Sequence, residues 1–131
     1  MVMQVETIST PDAPQPAGHY VQATRANGFV FISGQLPVDP AVGIRADLSF
    51  DDQAKLAIGN MLAILSAAGS ATDRLVRVTA YIVGVENWPA FNAVYAAMLP
   101  DARPARTVVP VAELHHGCLV EIDAIALASG D

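Results

Sequence analysis

The residues Ala54, Ala57, Ile58, Met61, Leu65 and Ala68 recur at steps of three and four, and shortly after them the period falls to two. The first pattern is one apolar stripe along a helix, capped near Ser49 or Asp51 and stopped by Gly69. The second, Leu75 to Val83, alternates with Val76, Val78, Ala80 and Ile82 on one side, as a half-buried strand does. A one-sided helix next to a one-sided strand must pack against it, so the chain is constrained to a layered fold.

The flanking segments extend that layer. The segment Thr10 to Gly18 holds three prolines and reads as an irregular leading loop. Two strands, Tyr20 to Thr24 and Phe29 to Ser33, are joined by a turn at Ala26-Asn27-Gly28, where Asn-Gly favours a tight hairpin. Gly34 then lets the backbone approach another group, and Val38 to Phe50 forms a loop. A second helix starts after Asn87, tolerates Pro89 in its first turn, and turns Trp88, Phe91, Val94, Tyr95 and Met98 inward. Two more strands run from about Arg106 to Leu114 and from Leu119 to Leu127, with Pro110 marking an edge or a bulge. The expected architecture is α+β: a mixed sheet with two helices packed on one face, and the other face seeking a partner.

At 131 residues and 53% apolar content, residues 1–131 suit a single domain with a continuous core. Thirteen acids against seven bases, a net charge of −6, offer no footprint for a phosphate backbone, so no nucleic-acid partner is expected. The charge-free stretch from Leu56 to Thr72 is helical in period and interrupted by Gly59, Asn60, Ser66 and Gly69, so no membrane partner is expected either. No basic segment precedes an apolar one at the start of the sequence, which points to the cytoplasm. Cys118, the single cysteine, alternates with Val120, Ile122 and Ala124 as a small core residue. The positive mean hydropathy predicts oligomerisation.

Two charges stand in apolar surroundings: Arg106 in "PARTVV" and Glu121 in "LVEIDAIAL". A guanidinium suits a planar anion, and a half-buried carboxylate suits a base; a structural ion pair is the competing reading. If His115-His116 turns a tight hairpin, Arg106 faces Ile125 and Glu121 faces Pro110, which leaves the charges roughly 13 Å apart. Either they converge on something between them, or each meets the other's equivalent across a subunit boundary. His115 and His116 point to opposite sides if extended, so no metal site is expected within one chain.

The phrases "AGHYVQA", "FISGQLPVDP", "FNAVYAAML", "PARTVV" and "CLVEIDAIA", in this order and spacing, resemble the signatures of the RidA (YjgF) family of small cytosolic imine deaminases. The resemblance covers nearly the whole chain. It implies a chorismate-mutase-like fold, a homotrimer with intersubunit clefts, and hydrolysis of small 2-imino acids such as 2-iminopropanoate to 2-oxo acids and ammonia, without metal or organic cofactor. It implies that Arg106 binds the substrate carboxylate and that Glu121 positions or activates water. It further places Tyr20, Ser33, Gly34 and Asn92 in the cleft, although Asn92 shares a helix face with Trp88 and Tyr95 and is equally suited to fixing a cleft loop.

The chain departs from the family pattern at four places: His19 replaces a proline, Thr107 a serine, Val108 a cysteine found in some members, and Leu114-His115-His116-Gly117 a Leu-Pro-Lys-Asp tip. His19 opens the alternative of a pathway-specific deaminase for a larger carboxylated enamine. A non-catalytic trimer that binds 2-oxo acids is the alternative outside enzymology. The ribonuclease label carried by some relatives suits an acidic chain badly.

Overall fold

A computed structural model of the chain describes residues 4–128. Strands β1 (Glu6–Ile8), β2 (Ala23–Ala26) and β3 (Phe29–Gln35) are followed by a small separate hairpin, β4 (Val38–Asp39) and β5 (Gly43–Ile44). Helix α1 (Phe50–Ala67), strand β6 (Leu75–Val83), helix α2 (Trp88–Met98) and strands β7 (Ala105–Val111) and β8 (Val120–Leu127) complete the chain. The main sheet has six strands in the order β1-β2-β3-β8-β6-β7, and β6 with β7 is its one parallel pair. The expected α+β architecture is what the chain adopts.

Local chemistry explains the elements. Asn27 and Gly28 both take positive φ, 50° and 83°, which lets β2 and β3 pair directly across a two-residue turn. The Ser49 hydroxyl accepts the Asp52 amide at the start of α1, Asp51 and Asp52 favour the positive helix end, and Gly69 at φ 76° reverses the chain beyond it. Pro89 occupies the first turn of α2. Pro110 sits on β7, an edge strand, where a missing amide breaks no ladder bond to an outer neighbour.

The core lies between the sheet and the two helices. Ala54, Ala57, Ile58, Met61, Leu65 and Ala68 are buried against Val30 and Ile32 of β3, Val78, Ala80 and Ile82 of β6, and Val120, Ile122, Ala124 and Ala126 of β8. Each fully buried Ile or Val stabilises the fold by about 1.5–3 kcal/mol. Cys118 is buried as well, and burial pushes its thiol pKa up, in keeping with a packing role. The alternate residues of the strands, among them Phe31, Arg77, Thr79, Tyr81, Thr107, Glu121, Asp123 and Ile125, line the face that no helix covers.

Three sequence expectations change. The strands at 106–114 and 119–127 do not form a hairpin, because β6 lies between β7 and β8. The β6-α2-β7 unit returns parallel, as a helical crossover requires, and the eight residues from Ala112 to Leu119 then step over β6. Strand β2 begins at Ala23, not Tyr20, since Tyr20 belongs to a bend in which its amide bonds the Gly18 carbonyl at 3.0 Å. Trp88 is exposed instead of facing inward, while Phe91, Val94 and Tyr95 are buried as expected.

Candidate functional site

The six residues singled out in the sequence fall into two groups. Register places Arg106 beside Val78 on the helix-covered side of the sheet, at the β7 edge. There its guanidinium donates to Asn92 Oδ1 at 3.0 Å and lies 5.0 Å from the centre of the Tyr95 ring. The ring face attracts the cation and the amide fixes its rotation, so α2 holds the guanidinium in one pose. Asn92, Tyr95, Ala96, Leu99, Arg103 and Arg106 line a hollow of about 270 Å³ there. Asn92 therefore orients the arginine, a role distinct from the ligand contact and the loop contact that the sequence leaves open to it. The sequence pattern marks Tyr95 only as core; an aromatic one helical turn after Asn92 signals a shared face, but not that a cation lies over it.

The second group lies on the opposite face. Glu121 is beside Tyr81 in register, on the uncovered side, and shares an open hollow of about 410 Å³ with Tyr20, Ser33, Gly34, Leu36 and His115. Two strand spacings and three residues of rise separate its backbone from that of Arg106, roughly 14 Å, and the sheet stands between the side chains. The separation foreseen from sequence is present, although the hairpin used to derive it is not. Arg106 makes no ion pair among the described residues.

Each member of the second hollow has a definite local state. A Cβ on Gly34 would collide with the Glu121 carboxylate and stand 3.1 Å from its carboxyl carbon, so glycine is needed for close approach. Burial raises the Glu121 pKa, the neighbouring Asp123 raises it further, and His115 lowers it. Ser33 donates its hydroxyl proton to the Val21 carbonyl at 2.7 Å, which leaves its oxygen lone pairs as acceptors for anything in the hollow. Tyr20 is exposed at the hollow's rim. His19 is exposed and is not among the lining residues, whereas His115 is.

Buried amides on α1 hold the walls of this hollow. Asn60 donates to the Leu36 and Val38 carbonyls at 3.2 and 2.8 Å. Gln53 donates to the Ala46 and Leu48 carbonyls at 3.3 and 2.9 Å and accepts the Leu119 amide at 2.9 Å, which ties down the segment leading into β8. No group of His, Cys, Asp and Glu suited to a metal ion occurs among the described residues.

A family model described as Endoribonuclease L-PSP matches residues 10–128. The chain belongs to the YjgF/RutC/Rid family. A RutC family protein of Pyrococcus horikoshii is 40% identical over 121 residues, which span 92% of this chain and 96% of that protein. Among solved structures, the Rid-family protein YyfA of Yersinia pestis superposes with a TM-score of 0.92 at 34% identity, covering 95% of this chain and all of that one. The TdcF protein of Escherichia coli, solved with bound serine, gives 0.87 at 35% identity, covering 95% and 99%. This Rid chain thus matches its relatives over nearly their full length, and one of them carries a small amino acid.

Proposed function

We propose that this Rid-family protein is a cofactor-independent imine/enamine deaminase that hydrolyses small 2-imino acids, such as 2-iminopropanoate, to 2-oxo acids and ammonia. In this reading it acts in the cytoplasm as a homotrimer whose clefts lie between subunits. The observation that carries the reading is the division of the site: a fixed cation without a carboxylate partner among the described residues on one face, and a glutamate of raised pKa with acceptor and hydroxyl neighbours on the other. One chain cannot bring both to one small molecule, whereas two copies can. Arg106 grips the carboxylate bidentately, Glu121 takes a proton from water attacking the imine carbon, and Ser33 accepts from the imine N–H. Tyr20 and Gly34 shape the wall, and Asn92 keeps Arg106 aimed.

The serine bound to the related TdcF supports a small carboxylate as ligand. It equally favours a second reading, a trimer that binds such acids without turnover, because serine has no imine to hydrolyse. The net charge of −6 leaves RNA a poor substrate despite the family's descriptive label.

One experiment separates these readings. An amino acid oxidase generates 2-iminopropanoate in place, and ammonia or pyruvate release is followed above the spontaneous rate. Acceleration that disappears in Arg106→Ala is the expected result. Affinity for pyruvate or 2-oxobutanoate with no acceleration on several imino acids would replace the deaminase by the binding trimer.

A further inference from the structure

Imine hydrolysis needs one group that the preceding assignment does not supply, a donor for the proton acquired by the departing nitrogen. We infer that His115 is this donor, a catalytic residue paired with Glu121 in the same hollow. The inference rests on the deaminase reading and extends it.

Three observations place the imidazole there. His115 lines the hollow together with Glu121, Tyr20, Ser33 and Gly34. The backbone aims it: His116 takes φ 61° and Gly117 74°, so the chain reverses immediately after His115, and the Cys118 amide closes the turn on the His115 carbonyl at 3.2 Å. The ring is held as well, for the His115 and His116 rings stack with centroids 3.6 Å apart and planes 26° from parallel. Gln53, by accepting the Leu119 amide, anchors the exit of this turn to α1.

The titratable groups around His115 are Glu121 from β8, Tyr20 from the bend before β2, His116 within the turn and Glu113 on its approach. Two of these are acids, and the attraction between His115 and Glu121 works against the burial that raises the glutamate's pKa. A base and an acid are thereby matched within one hollow.

The steps balance. Water adds to the imine carbon, its proton passes to Glu121, and the C=N electron pair moves to nitrogen, which takes a proton from the His115 imidazolium. Proton return from Glu121 to His115 through the cleft water restores both groups. His115 then protonates the amino nitrogen of the carbinolamine, the C–N bond breaks with its electron pair leaving on ammonia, and the hydroxyl proton goes to Glu121. A final return of that proton resets the site.

The test is the pH dependence of kcat/KM for ammonia release from 2-iminopropanoate. His115→Gln is expected to lose roughly 100-fold in kcat/KM, with the alkaline limb of the wild-type profile abolished. Added imidazole is expected to restore activity to His115→Ala but not to Glu121→Gln, a response that a merely structural role for the ring would not give. His19→Gln, exposed and outside the hollow, is expected to keep the wild-type profile. Circular dichroism checks that the variants are folded. An active wild type whose His115→Gln variant retains rate and both limbs, or whose His115→Ala variant is not rescued, would overturn the assignment of His115 alone. An inactive wild type would overturn the deaminase reading, and His115 with it.

Discussion

Glu121 and Asp123 stand two residues apart on the uncovered face of β8, and burial holds both carboxyls above the ordinary range. Asp123 raises Glu121 further, while Arg77 works to lower Asp123. A carboxyl whose folded pKa exceeds its unfolded value is bound to more protons when folded, so ionisation weakens the fold. The cost is absent below the ordinary carboxylate range and grows as pH climbs through the raised values. Glu121→Gln should therefore raise the melting temperature at neutral pH and flatten its decline as pH rises above the ordinary carboxylate range, while removing the proposed deaminase activity; calorimetry from acid to neutral pH checks it. Gly34→Ala makes the complementary case. The added methyl meets only the end of a flexible side chain, so we expect a stability change within about 1 kcal/mol and a large loss of activity as the carboxylate is displaced, read by denaturant melts beside the ammonia assay.

At the scale of elements, α1 does two jobs, and only one was legible in the sequence. Its apolar stripe announced the core directly. Gln53 and Asn60, seven residues apart and both buried, carry the second job of clamping the segments around Leu36, Leu48 and Leu119. A polar residue among apolar ones reads as solvent-facing, because the loops it satisfies are distant in sequence. Gln53→Leu should cost roughly 2 kcal/mol or more, since it strips partners from three backbone groups and buries an isobutyl group in their place. Urea unfolding gives that figure, and hydrogen exchange should show the Leu119 amide losing protection first. Glu121 binding geometry depends on the same anchor, so activity is expected to fall further than the fraction unfolded explains. The β7-to-β8 connection was misread for a related reason: turn residues indicate that the chain reverses, but not that a third strand lies between the two arms.

At the scale of the whole molecule, the family motifs carried the fold and the candidate residues, but not their distribution over two faces of the sheet. That distribution depends on the parity of Arg106 and Glu121 relative to β6, a strand that contains neither. Under the proposed deaminase reading, its consequence is that a working cleft needs Arg106 from one copy and Glu121 from another. The proteins Arg106→Ala and Glu121→Gln should each be inactive as pure species. Coexpressed, they assort at random, and about one quarter of the clefts combine an intact Arg106 from one subunit with an intact Glu121 from the next. Recovery of about one quarter of wild-type activity in the mixed oligomer, and none when the double variant Arg106→Ala/Glu121→Gln is coexpressed with either single variant, is the expected pattern. A site contained within one chain would give no recovery in any mixture, because every subunit then carries its own defect.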